Sequence, residues 1–153
     1  MIKIQNPEHN DFLSVVNDEG GDLTVGQVVE RKGTDTMGNI TVQEINDAVG
    51  KTKEDLLIVG KEDISRDQDM NEETANTIVD GAHCFAASRR GLIVEDDKLD
   101  ANSASDFSGA TFNDEIYVDA NGFPCLVANK DTNSPVIGRF LEFANETVIY
   151  ELL

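Results

Sequence analysis

The sequence predicts a mainly β protein, a small β-barrel or sandwich with one or two short helices. Three observations lead there: short runs rich in Val, Ile, Leu and Thr dominate the chain, Gly, Asn and Asp separate them, and helix-start signals are few. Leu23-Thr24-Val25-Gly26-Gln27-Val28-Val29 follows the Gly20-Gly21 turn signal and reads as one strand. Gly38-Asn39 introduces Ile40-Thr41-Val42-Gln43-Glu44-Ile45, whose apolar positions begin with period two, and Leu56-Leu57-Ile58-Val59-Gly60 is a continuous apolar run. Further strands are expected at residues 84–87, 91–95, 116–118, 124–128, 136–140 and 147–152, for about nine or ten in all. One helix is expected from Asn71-Glu72-Glu73 to about Val79, with acidic residues in its first turn and Gly81 just past its end. Residues 101–107 read equally as one helical turn or as a loop rich in Ser and Asp.

A chain of 153 residues suits one domain, and folding at that size buries roughly 70% of the unfolded chain's surface. Residues 1–20 read as an N-terminal arm and 21–153 as a single β-rich domain. The centre of the leader, Pro7-Glu8-His9-Asn10-Asp11, is polar, while Ile2, Ile4, Phe12 and Leu13 are apolar side chains that a short leader cannot bury alone. An internal similarity links the two halves. Asp22-Leu23-Thr24-Val25, Gly38-Asn39-Ile40-Thr41-Val42 and Ile58-Val59-Gly60 follow the same order as Glu115-Ile116-Tyr117-Val118, Asn121-Gly122-Phe123-Pro124-Cys125 and Val136-Ile137-Gly138. In both halves an apolar pair precedes a glycine, which suggests a bulge or a close backbone approach.

Thirty acidic residues stand against 12 basic ones, for a formal net charge of −18. Scattered Lys and Arg on so acidic a chain argue against nucleic-acid binding. The Arg89-Arg90 pair is read as exposed or as paired with Asp96 and Asp97. No run approaches a membrane span, and residues 1–8 hold no apolar signal region, so neither a membrane nor a secretory route is expected. Cys84 and Cys125 belong to no Cys-x-x-Cys pattern and sit in apolar stretches, as buried free thiols do.

No catalytic, cofactor-binding or metal-ligating residue is assigned, and an enzyme is not expected. His9 and His83 are the only histidines. His83 and Cys84 are adjacent on an expected strand and point to opposite faces, so they cannot form a nucleophile–base pair. Gly-x-Ser-x-Gly, phosphate-loop and dinucleotide motifs are missing from the sequence. Asp67-x-Asp69-x-Asn71-Glu72-Glu73 opens like a calcium loop, but Glu72 stands where the loop needs Gly and Ile78 where it needs the bidentate Glu. For this cluster, for Glu95-Asp96-Asp97 and for Asp18-Glu19-x-x-Asp22, a solvated acidic face is the default and weak Ca²⁺ or Mg²⁺ binding the alternative. Paired carboxylates also serve glycosidases, but the chain has no Trp and two Tyr to make sugar platforms.

The succession Gly91-Leu92-Ile93-Val94, then Asp114-Glu115-Ile116-Tyr117-Val118-Asp119-Ala120-Asn121-Gly122, Val136-Ile137-Gly138-Arg139-Phe140 and a terminal Val148-Ile149-Tyr150-Glu151-Leu152 resembles the capsid decoration, or cement, proteins of tailed bacteriophages. The resemblance covers roughly residues 23–153; the stretches 64–79 and 101–113 are additions to the compact pattern. It implies a β-tulip-like fold and a structural virion protein, made in the host cytoplasm and bound to the outer surface of the head. There it would bridge major capsid subunits, as a homotrimer and without a cofactor. The interface candidates are Ile2, Ile4, Phe12, Leu13, Phe107, Phe112 and Phe123. The alternative is a carbohydrate- or receptor-binding, or other head or tail, virion module, with calcium dependence as one form of it.

Overall fold

A computed structural model of the chain describes residues 2–5, 12–45, 52, 56–60, 77–87 and 91–153. Its strands run in chain order β1 (Ile2–Gln5), β2 (Phe12–Asn17), β3 (Leu23–Thr24), β4 (Val28–Thr34), β5 (Ile40–Glu44), β6 (Leu56–Gly60), β7 (Thr77–Ile78) and β8 (His83–Ala87). They continue with β9 (Ile93–Asp96), β10 (Glu115–Val118), β11 (Pro124–Leu126), β12 (Gly138–Ala144) and β13 (Thr147–Leu152). One helical turn, α1 (Leu99–Asn102), and 3₁₀ turns at Phe107–Gly109 and Val127–Asn129 interrupt them. The fold is mainly β, as expected. Strands β2-β5-β4-β6-β8 close into a barrel, β1-β9-β13-β12-β10-β11 form an open sheet, and β3 pairs with β7. Within the barrel only β2 and β5 run parallel.

The barrel and the sheet share a wall. All five residues of β6 are buried, and their period of two divides them between two apolar clusters. Leu57 and Val59 join Val15, Val29, Val42 and Ala86 inside the barrel. Leu56 and Ile58 face the other way and pack with Val28, Val94, Phe140 and Tyr150 of the seam between barrel and sheet. Burial on both faces is why the run has no polar alternation. Behind the sheet side of this seam, Phe107 stacks on Phe140 with ring centroids 6.3 Å apart.

The described parts of the N-terminal segment are strands paired with the rest of the chain. β1 pairs with β9 from Ile2↔Asp96 to Gln5↔Ile93, and β2 is a barrel stave between β5 and β8. Leu13 packs half-buried against the barrel core, and Val15, two residues on, is fully buried in the barrel. Asn17, also fully buried, ends the stave. Its Nδ2 donates to the carbonyls of Gly21 and Ile78, each at 2.9 Å, and its Oδ1 accepts from the Glu19 amide at 3.0 Å. Asn17→Ala strips three buried or half-buried backbone groups of their partners and is expected to cost about 2 kcal/mol, read as a lower denaturation midpoint at unchanged slope.

Other element boundaries move for local reasons. The expected strand 23–29 is two strands, because Gln27 folds back: its amide donates to the Thr24 carbonyl at 3.0 Å and its Oε1 accepts from the Thr24 amide at 3.0 Å. At the C-terminal end of the expected helix 71–79, Thr77–Ile78 are strand, paired with β3; residues 61–76 lie outside the described residues. The expected strand 124–128 turns into a 3₁₀ turn at Val127. The strand at 136–140 starts at Gly138 and runs on to Ala144, hairpinned to β13.

The internal similarity has a topological counterpart. β4 and β5 form a hairpin and β6 returns to the free side of β4; β10 and β11 form a hairpin and β12 returns to the free side of β10. The matching first strand is β4, not the stretch at 23–25. Both predicted close approaches are present. A Cβ on Gly60 would run into the Phe85 ring, and one on Gly138 would lie 2.6 Å from the Glu151 carbonyl oxygen.

Candidate interaction surface

Among the interface candidates whose side chains are described, Leu13, Phe107, Phe112 and Phe123, one is presented to solvent as a free anchor. Phe112 is 65% exposed. The turn that carries it is fixed by its own side chains and by β12. The Thr111 amide donates to Asp114 Oδ2 at 2.8 Å, the Asp114 amide to the Thr111 carbonyl at 2.9 Å, and the Asn113 amide to the Phe140 carbonyl at 2.9 Å. The Phe140 amide returns a bond to the Asp114 carbonyl at 2.8 Å. Asn113 takes a φ of 73°, a left-handed conformation that Asn tolerates better than most residues. Phe112 thus projects from a braced turn rather than from a slack loop.

Phe107 is corrected: it is fully buried and stacked on Phe140, so it has no face to offer a partner. Leu13 is half-buried against the barrel core, and Phe123 is half-buried against the seam. Ile2 and Ile4 lie on β1, an edge strand of the open sheet, and Phe12 opens β2 opposite Ala87.

Met37 was missed, though it is 81% exposed. Its setting in Thr34-Asp35-Thr36-Met37-Gly38-Asn39, a lone large apolar residue in a polar turn, is a signal the sequence carries. Asp35 builds this turn: Oδ1 accepts from the amides of Met37 and Asn39, each at 2.8 Å, and Oδ2 accepts from the Asn39 side chain at 2.8 Å. Those bonds, the Asn39 side chain first, hold the Asp35 carboxyl below its usual range. Val79 and Val127 are further exposed apolar residues, 55% and 60% accessible.

Several carboxylates of the described acidic stretches are engaged by the chain itself. Asp18 pairs with Lys32 at 3.0 Å, Glu19 Oε2 accepts from the Glu44 amide at 2.7 Å, and Asp80 Oδ1 accepts from the Gly20 amide at 2.9 Å. Asp96 departs from the expected solvated face: it is buried, and its Oδ1 accepts from the Lys98 amide at 2.9 Å. The cluster at 67–73 and Arg89-Arg90 lie outside the described residues. Among the described residues no three His, Cys, Asp or Glu side chains gather as a metal would need.

Cys84 and Cys125 are free and buried, as expected. Burial pushes Cys84 up to about 11 and Cys125 up to about 12, so both are neutral thiols at physiological pH. His83 is exposed while Cys84 faces the barrel core, the opposition that strand geometry demands. The seam leaves a gap of about 20 Å³ lined by Val28, Leu56, Ile58, Ala87, Ile137 and Leu152, with room for about one water and no polar side chain to hold it. No family model matches the chain, and no curated protein or solved structure matches it.

Proposed function

We propose that the protein is a structural virion component that binds the outer surface of a tailed-phage head and stabilises the shell by bridging major capsid subunits as a homotrimer. The observation that supports this reading best is the pairing of a braced β scaffold with large apolar side chains held out on locked turns, Phe112 above all. A rigid anchor loses little conformational entropy on docking, so more of its burial is kept as affinity. At a net charge of −18, copies repel one another, and apolar contact together with multivalent attachment must supply the joining. Attachment then survives high salt, which screens the repulsion and leaves apolar contact intact.

Purified heads test this directly. Mass spectrometry should find the chain in many copies per head, and bare heads should rupture at a lower temperature than decorated ones. Phe112→Ser should weaken attachment at least about tenfold, the factor lost with about 1.4 kcal/mol of anchor burial, while leaving the melting temperature of the free protein unchanged. Release of the protein from heads as salt rises, or equal rupture temperatures with and without it, would sink the cement reading and move a receptor- or carbohydrate-binding role ahead of it.

A further inference from the structure

One turn fastens the open sheet to the barrel through the backbone. It follows β10 and is organised by Asp119, which is buried. Oδ1 of Asp119 accepts from the amides of Asn121 at 2.8 Å and Phe123 at 2.9 Å, and Oδ2 from the Ala104 amide at 2.9 Å. Held in this shape, the turn lies on the start of β4. The Gly122 carbonyl accepts from the Val28 amide at 2.7 Å, and the Gln27 Nε2 approaches the Asn121 carbonyl at 3.4 Å. Gly122 has a φ of +84°, and a Cβ there would come within 3.2 Å of both Cγ and Nε2 of Gln27. The docked turn therefore requires glycine at this position.

That requirement creates a chemical liability. Asn121-Gly122 is the one Asn-Gly pair in the sequence, and Asn121 is exposed. A glycine after asparagine leaves its nitrogen unshielded by any side chain, so this nitrogen can reach the Asn side-chain carbon. In the docked turn the Gly122 N–H is engaged, donating to the Asp119 carbonyl at 3.1 Å, and the peptide group that follows is held by the Val28 amide, which donates to the Gly122 carbonyl at 2.7 Å. We propose that Asn121-Gly122 is a self-modification site, shut while the turn is docked on the barrel, and that its conversion to isoaspartate releases the turn.

The chemistry needs only water. The Gly122 nitrogen gives up its proton to solvent and attacks Asn121 Cγ; the N–Cγ bond forms, the Cγ–Nδ2 bond breaks, and ammonia leaves a five-membered succinimide. Water then opens the ring. Cleavage between nitrogen and the main-chain carbonyl carbon gives isoaspartate, and cleavage between nitrogen and Cγ gives aspartate. Isoaspartate routes the main chain through Cβ, which inserts one extra carbon and carries the Gly122 carbonyl away from the Val28 amide. Aspartate leaves the path of the backbone unchanged.

The full-length protein, incubated at mildly alkaline pH both folded and in urea, tests the proposal by peptide mass spectrometry at position 121. The folded protein should convert at least about tenfold more slowly, the factor that an opening cost of about 1.4 kcal/mol gives. The deamidated protein, separated from the parent by its added charge, should lose hydrogen-exchange protection at the Val28 amide in proportion to its isoaspartate content, whereas Asn121→Asp should keep it. Equal rates folded and unfolded, an isoaspartate form that keeps Val28 protected, or loss of that protection in Asn121→Asp would each overturn the proposal.

Discussion

Gly138→Ala should destabilise the protein by about 3 kcal/mol, at the upper end of ordinary overpacking costs. Gly138 opens β12 at its most crowded point, paired with Leu152 on β13 and with Ile116 on β10. The added methyl would sit 2.6 Å from the Glu151 carbonyl oxygen, a backbone atom in the middle of a sheet, and 3.4 Å from Tyr150 Cδ2. Neighbouring backbone is also committed: the Leu152 amide donates to the Leu92 carbonyl at 2.8 Å, and the Gly91 amide to the Leu152 carbonyl at 2.7 Å. For a chain of this size that cost lowers the melting temperature by roughly 10 °C. Gly60→Ala meets a side chain instead, the ring of Phe85, and should cost less. Because the obstacle there can be removed, Phe85→Ala should relieve part of the Gly60→Ala penalty, and a double-mutant cycle should show the coupling. A Gly138→Ala protein within about 0.5 kcal/mol of the parent would show that the strand edge is free to shift.

These two glycines were visible in the sequence as the repeated apolar pair before Gly, which left a bulge and a close approach as alternatives; both turn out to be close approaches. A continuous apolar run likewise placed β6, and short β-type runs between turn residues placed β13 and most of β8 to β10. Pairing partners were not legible. Nothing local in Phe12-Leu13-Ser14-Val15-Val16 says that this stretch runs parallel to β5, because a barrel closes through contacts distant in sequence. The break between β3 and β4 was hidden for a different reason: Gln27 reads as a polar strand residue until its side chain is seen folded onto Thr24. The candidate surface shows the same division. Phe112 and Phe107 were named alike as interface candidates; Phe112 is exposed, while Phe107, in an equally polar stretch, is drawn into the core by α1 and the following 3₁₀ turn, an outcome that depends on the Phe140 ring waiting there.

Acidification should stabilise this protein, against the usual trend for carboxylate-rich chains. Asp96 lies 2% exposed on β9, opposite Val148 and diagonal to Tyr150, whose fully buried hydroxyl has no hydrogen-bond partner among the described residues. Burial pushes the Asp96 carboxyl up to about 6 from an ordinary 3.8; the Lys98 amide pulls it down, and the Asp97 charge adds to the rise. Between those two values the folded chain holds a proton that the unfolded chain has released. Stability from this group is therefore full below about pH 3.8 and is lost as pH rises through about 6, a change of about 3 kcal/mol. Mutual repulsion at a charge of −18 works in the same direction, so the two must be separated. About 1 M salt shortens the screening length to about 3 Å and suppresses the surface contribution, leaving the buried one. Under those conditions the parent should still be more resistant to urea at about pH 5 than at about pH 8, and Asp96→Asn, which cannot titrate, should show a flat profile over that interval. Tyr150→Phe gives the control for the neighbouring hydroxyl: it removes an unpaired buried group and should raise stability by about 1 kcal/mol without flattening the profile. If Asp96→Asn retains the parental slope in high salt, the pH dependence belongs to the surface carboxylates, and Asp96 is ionised in the folded protein at the cost of its burial.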